Sequence, residues 1–111
     1  MITVREVRKL ALSLPEAVEA PHFDRASFRV RGKIFATIAP DGDSGMLKLD
    51  LDQHEALLES DPRAFFSFGG WSRNGATGVR FSAVRKALFR DLLAQAWRNV
   101  APKKLLGRKG K

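Results

Sequence analysis

The 111-residue sequence contains no cysteine, no tyrosine and only two histidines. The absence of cysteine excludes disulfides, thiolate zinc sites, iron–sulfur clusters and cysteine nucleophiles, and it suits a reducing compartment. No apolar run approaches the roughly 20 residues that cross a bilayer. The residues after Met1 also lack the apolar core of a signal peptide. We therefore expect a cytoplasmic protein with no metal, no cofactor and no membrane attachment.

Composition predicts one globular domain, because 44% of the residues are hydrophobic and 29% are charged. The net charge of +8 is unevenly distributed along the chain. Residues 1–84 carry eleven basic and eleven acidic side chains, whereas residues 85–111 carry nine basic side chains and only one acid, Asp91. A basic segment of this kind indicates a polyanionic partner or simply promotes solubility.

Helical spacing of apolar residues predicts three helices. Thr3 and Glu6 form a capping box that opens the first helix, over residues 4–13. A second capping box, from Asp52 to Glu55, is expected to open a short helix in the middle of the chain.

The longest helix is predicted over residues 83–100, with Ser82 as its N-cap. The chain from Lys103 onward is basic and contains two glycines, so we expect it to fray. The predicted domain spans residues 1–105, and residues 106–111 form a basic flexible tail.

Alternation of apolar and polar residues predicts the strands. They cover about residues 17–23, 28–38 (a hairpin), 46–51, 65–68 and 76–81. Arg31-Gly32 is the predicted turn of the hairpin, with Gly32 at positive φ, and Asn74-Gly75 is a second turn signal. The segment 17–23 is expected to pair with the strand at 46–51. Short turns between strands imply antiparallel pairing, so the predicted fold class is α+β, a two-layer antiparallel sheet backed by helices.

Several motifs then occur in a fixed order: Leu12-Ser13-Leu14-Pro15, Phe28-Arg29-Val30-Arg31-Gly32-Lys33-Ile34-Phe35-Ala36, Met46-Leu47-Lys48-Leu49, Gly70-Trp71 and the closing helix. Over about residues 3–105 this order resembles the MmcQ/YjbR family of small bacterial proteins. The resemblance implies a fold similar to frataxin-like and secretion-chaperone-like domains. It also implies DNA binding through two protruding hairpins, a double wing. The chain departs from the family at Ala96-Trp97, where many relatives have Ser-Tyr.

The first predicted wing is the hairpin that carries Arg29, Arg31 and Lys33. Their alternation predicts that the three cations share one face, where they can neutralise phosphates. Lys48 and Arg80 on later strands extend this set. The alternative is a solvated strand face whose cations pair with acids, for which the candidates are Asp50, Glu16 and Glu19.

The second predicted wing carries Trp71, Arg73 and Asn74. A tryptophan beside polar and cationic side chains at a loop tip can stack on bases. The alternative is that Trp71 packs into the core. A further electrostatic contribution is expected from the C-terminal cations, which are Arg85, Lys86, Arg90, Arg98, Lys103, Lys104, Arg108, Lys109 and Lys111.

Catalysis is not indicated. His54 is expected to be exposed, and His22 beside Asp24 has no accompanying nucleophile. We expect a non-catalytic domain, a monomer or weak dimer, that binds DNA non-specifically through its basic hairpins and C-terminal cations. The alternative is a protein-interaction module similar to secretion chaperones, with Phe35, Phe65 and Trp71 as its exposed apolar patch.

Overall fold

A computed structural model describes residues 1–109, without the side chains of residues 71, 72 and 107–109. Its centre is an antiparallel sheet with the strand order β1-β2-β3-β4-β6-β5. The strands are β1 (Ala17–His22), β2 (Arg25–Val30), β3 (Lys33–Ile38), β4 (Ser44–Lys48), β5 (Phe65–Ser67) and β6 (Ala76–Arg80). The helices are α1 (Val4–Leu12), α2 (Leu51–Ser60), α3 (Lys86–Val100) and α4 (Lys103–Lys109), and a 3₁₀ helix covers Gly69–Asn74. The predicted α+β class is confirmed.

The pairing of β1 differs from the prediction. The strand pairs with β2, with His22 opposite Arg25, and not with the strand at 46–51. A two-residue turn joins β1 to β2, so β1 pairs with the strand that follows it directly in the sequence. β1 therefore forms one edge of the sheet, and β5 forms the other.

The helix starts confirm one predicted cap and correct two. The Thr3–Glu6 capping box is present at α1. At α2 the box is formed by Asp50 with Gln53, because the chain is still extended at Asp50 after it leaves β4. α3 begins only at Lys86, without a side-chain cap, and Ser82 belongs to a preceding turn.

The C-terminal segment is more ordered than expected. The chain from Lys103 forms α4 instead of fraying, and Leu105 in its first turn is buried in the core. Burial of a leucine side chain stabilises a structure by roughly 1.5–3 kcal/mol, which holds the start of this short helix against the domain.

The helices share one face of the sheet. Direct antiparallel partners point to the same face, and a continuous row of partners runs across five strands: Glu19, Phe28, Ala36, Leu47 and Thr77. α1 reaches this row through Arg8 and Glu19, and α2 reaches it through His54 and Thr77. α3 packs on β3, β4 and α1, and its Trp97 is fully buried and donates from Nε1 to the Pro15 oxygen at 3.0 Å.

The opposite face of the sheet carries no helix among residues 1–109. Its central row of partners is Ser27, Thr37, Met46, Gly78 and Phe66. We call this surface the open face. Within residues 1–109, no helix is both long enough and apolar enough to cross a membrane.

Candidate nucleic-acid interface

The β2–β3 hairpin has the predicted turn but not the predicted arrangement of cations. Arg31 and Gly32 both have positive φ, 52° and 82°, as a tight two-residue turn requires. Because Val30 is the direct partner of Lys33, the alternation reverses across the turn. Arg29 therefore lies on the open face, Arg31 in the turn and Lys33 on the other face. The prediction that the three share one face is wrong.

Arg31 is neutralised by an acid. Its guanidinium donates from Nε and Nη2 to the two carboxylate oxygens of Glu16, at 2.6 and 3.1 Å. This two-point contact raises the pKa of Arg31. Glu16 was one of the three acids expected if the strand cations were paired, and the structure confirms that alternative for Arg31.

Arg29 and Arg80 donate to neutral groups, and these hydrogen bonds leave the positive charge of each guanidinium unbalanced. Arg29 donates to the Ser27 hydroxyl at 3.0 Å and to the Pro21 oxygen at 3.3 Å. Arg80 donates to the oxygens of Pro62 and Arg63 at 3.3 and 3.2 Å. Both side chains are held in place without a carboxylate partner among the described residues.

Lys33 and Lys48 lie at the same end of the sheet. β3 begins at Lys33, the antiparallel β4 ends at Lys48, and the two strands are neighbours. The end of α3 meets them there, because the Asn99 side-chain amide donates to the Lys48 oxygen at 2.9 Å. Arg98 is in that last helical turn, and Lys103 and Lys104 open α4 directly after it.

We call Lys33, Lys48, Arg98, Lys103 and Lys104 the basic end. No carboxylate lies within ion-pair distance of any of them in the part of the chain that the structure describes. Two acids are close in the fold but otherwise engaged, since Glu16 pairs with Arg31 and Asp50 caps α2. The basic end thus unites strand cations with C-terminal cations.

Three of the other C-terminal cations, at the start of α3, do not join it, and the side chains of Arg108, Lys109 and Lys111 lie outside the described residues. Arg85, Lys86 and Arg90 lie in the first turns of α3, and a helix of that length separates its ends by about 20 Å. Lys86 forms an ion pair with Glu6 at the start of α1, and Arg90 has Asp91 at 3.8 Å. The described C-terminal cations therefore lie at both ends of α3 and do not form one surface.

The predicted second wing is a 3₁₀ helix and is only partly described. Arg73 and Asn74 are exposed, and Gly75, in the predicted turn signal, has a positive φ of 87°. The side chain of Trp71 lies outside the described residues. Arg73 lines a groove of about 810 Å³ beside α2, and Glu55 and Glu59 line the same groove. These acids oppose its charge, so we leave Arg73 out of the basic end.

Two of the three proposed apolar contact residues are in the core. Phe35 and Phe65 are almost fully buried. The register between β2 and β3 shifts between Phe28 and Arg29, and Phe35 is the extra residue on β3 at this point. Such a bulge redirects a side chain, and here it turns Phe35 inward against the simple alternation.

His54 is buried, which corrects the expectation that it is exposed. It retains only 5% of its accessible surface, and Nδ1 lies 2.8 Å from the Thr77 hydroxyl. That hydroxyl donates to the Gly75 oxygen at 2.9 Å, so Nδ1 is the donor to Thr77. No group of three or more metal-ligating side chains exists in the described part of the chain.

Sequence reasoning overlooked the aromatic pair Phe66 and Phe68. Their ring centroids are 5.2 Å apart on the open face, and the guanidinium carbon of Arg80 is 4.6 Å from the centre of the Phe66 ring. The signal was present, because Phe68 directly follows β5 and residues two apart in an extended segment share a face. It was missed because this short phenylalanine-rich strand resembles core.

Together, fold and surface define a small α+β domain with one helix-covered and one open sheet face. At one end it carries a cluster of cations that have no carboxylate partner among the described residues. The YjbR family model matches residues 12–99, and the chain belongs to that family. A similar solved structure is the Deinococcus radiodurans protein DR2400, of domain family DUF419. It is 22% identical, with a TM-score of 0.80 over 90% of this chain and 79% of that one. That likeness confirms the fold. No curated protein matches the chain.

Proposed function

We propose that this protein is a non-catalytic domain that binds nucleic acid through its phosphate backbone, with the basic end as the attachment surface. Its five cations come from three parts of the chain, β3, β4 and the α3–α4 junction. Folding brings them together, and this convergence is the observation that carries the proposal. Lysine and arginine side chains bind phosphates by displacing condensed counterions.

DNA is the polyanion that we propose, in keeping with the resemblance to a double-wing family. The two predicted wings, the β2–β3 turn and the 3₁₀ helix, both lie at the end of the sheet that carries the basic end. The sequence carries no recognised motif of a base-reading helix, so we propose binding without sequence preference. A cytoplasmic location in a bacterium suits this role.

The test is a titration of a labelled DNA duplex, followed by fluorescence anisotropy at several salt concentrations. The proposal predicts a linear fall of log K against log salt, with a slope near −0.9 for each phosphate contacted. With about five contacts, affinity falls by roughly three orders of magnitude between about 50 and 200 mM salt. Two unrelated sequences of equal length should bind equally. Affinity that does not depend on salt, or no binding at low salt, contradicts the proposal.

A second candidate is association with another protein, including a second copy of this chain. One observation favours it: Phe23, at the tip of the β1–β2 turn, is 92% exposed, and Val18 on the same edge strand is 55% exposed. Edge strands can add a further strand from a partner. Sedimentation over a range of concentrations tests this candidate, since Phe23→Ser should then abolish association and leave duplex binding unchanged.

A further inference from the structure

Within the six strands, the charged side chains on the open face are all cationic. The six strands contain a single acid, Glu19, and it points to the helix side, where it binds Arg8. Alternation from Ser27, Met46 and Gly78 places Arg29, Lys48 and Arg80 on the open face. Lys48 also belongs to the basic end, so the two surfaces are continuous.

At the β5–β6 edge of the open face, the guanidinium of Arg80 packs together with the rings of Phe66 and Phe68. The Phe66 ring lies directly over Gly78, where an added Cβ would approach the ring to 2.3 Å. Arg80 covers that ring, and its own side chain is exposed. Phe68 packs edge-to-face against Phe66 and retains 37% exposure. An exposed guanidinium plane backed by aromatic rings is a surface on which a base can stack.

The centre of the open face holds a polar atom without a partner. The Thr37 hydroxyl is buried and makes no hydrogen bond in the described part of the chain. Its direct strand partners are Ser27 and Met46, both on the open face. An unsatisfied buried hydroxyl costs roughly 1–3 kcal/mol. Methionine is flexible enough to move and admit a ligand acceptor or donor to this position.

We propose that the open face binds single-stranded nucleic acid. The bases stack on Arg80 over Phe66 and on Phe68, and the phosphates lie toward Arg29 and Lys48. Duplex bases are already stacked and paired, so only a single strand offers the base faces that this surface fits. The distance from β2 to β5 is four strand spacings, about 19 Å. A four-stranded sheet that binds RNA spans three such spacings, about 14 Å, and stacks two or three bases.

This inference rests on the proposed function, because the basic end supplies the electrostatic attachment that the open face extends. It adds a preference that the basic end alone cannot produce. Phosphate contacts bind both forms of nucleic acid, whereas stacking distinguishes a single strand from a duplex.

The test compares labelled oligothymidine, oligouridine and a DNA duplex by fluorescence anisotropy with the full chain. Arg80→Lys keeps the charge but removes the planar group, so it should weaken single-strand binding about 5- to 30-fold and leave duplex binding unchanged. The matched control is Arg63→Lys, the same exchange at an exposed arginine of the loop before β5, and it should change neither. The DNA and RNA strands identify which sugar the surface prefers.

The guanidinium of Arg80 also donates to two backbone oxygens, so Arg80→Lys could alter the local structure. A second pair of variants therefore tests the stacking without changing Arg80. Phe68→Ala should weaken single-strand binding by a similar factor, and Phe68→Trp should restore or exceed the wild-type affinity, because indole offers a larger stacking surface. Circular dichroism checks that each variant is folded.

The outcomes separate the two proposals. If duplex and single strand bind equally, and Arg80→Lys and Phe68→Ala behave as Arg63→Lys does, the open-face inference is overturned and the basic end stands. If neither nucleic acid binds at low salt, both proposals fail. If Arg80→Lys and Phe68→Ala weaken single-strand binding but not duplex binding, the inference is supported. It is supported further if Phe68→Trp binds the single strand at least as tightly as the wild type does.

Discussion

The side-chain amide of Asn99 donates to the backbone oxygen of Lys48, and this bond fixes the end of α3 against the end of β4. Asn99→Ala should cost about 1 kcal/mol of unfolding free energy, the usual net value of such a bond, measured by urea denaturation. Gln95→Ala on the same helix, where the structure shows no side-chain hydrogen bond, is the control and should be nearly neutral. Equal effects of the two changes would show that the bond contributes nothing.

Glu16 neutralises Arg31 and Glu6 neutralises Lys86, at opposite ends of the domain. Glu16→Gln releases Arg31 beside the basic end, whereas Glu6→Gln releases Lys86 at the start of α3. Both variants gain one unit of positive charge. We expect Glu16→Gln to bind duplex more tightly, with a salt slope steeper by about 0.9, and Glu6→Gln to change the slope little. A larger effect from Glu6→Gln would indicate that the binding surface lies at the start of α3 and not at the basic end.

The same Glu6→Gln variant tests an acid-sensitive contact. The hydrogen bond from Lys86 is the main cause that lowers the pKa of Glu6 from 4.5 to about 2, aided by the Thr3 backbone. A depressed folded-state pKa stabilises the fold above the unfolded value, and this contribution disappears as the pH falls from 4.5 through 2. Glutamine still completes the capping box but does not titrate. The urea midpoint of unfolding should therefore fall less steeply with decreasing pH in the variant than in the wild type. If the two midpoints fall in parallel, the contact between Glu6 and Lys86 does not cause the loss of stability in acid.

His54 and Thr77 form a buried polar pair that joins α2 to the sheet. Thr77→Val keeps the shape but leaves His54 Nδ1 and the Gly75 oxygen without this partner, so we expect a loss of about 1–3 kcal/mol in unfolding free energy. Thr77→Ser keeps the hydroxyl and loses only a methyl group, which should cost less. Urea denaturation measures both, and a Thr77→Val protein as stable as the wild type would contradict the pairing.

The fold was largely predictable because its signals are local. The Thr3–Glu6 box, the turn at Arg31-Gly32 and the alternating strands each depend on residues a few positions apart. The start of α2 was misplaced by two residues, because both Asp50 and Asp52 begin a sequence that fits a cap. Only the end of β4 decides between them.

The candidate site was less predictable because it depends on long-range contacts. Arg31 and Glu16 are fifteen residues apart, and Asn99 meets Lys48 across fifty-one. The bulge that buries Phe35 and the turn that separates Arg29 from Lys33 also break the simple alternation on which the prediction relied. His54 was misjudged because its partner, Thr77, lies on a strand far along the sequence.

The most direct test of the account compares two double charge reversals in duplex titrations. Lys33→Glu with Lys104→Glu alters the basic end, and Arg85→Glu with Arg90→Glu alters the start of α3 by the same net charge. The account predicts that the first pair weakens duplex binding at least about tenfold and reduces the magnitude of the salt slope by about 2, while the second pair has a much smaller effect. Equal losses from both pairs would mean that only overall charge attracts nucleic acid, and the assignment of the basic end would be wrong.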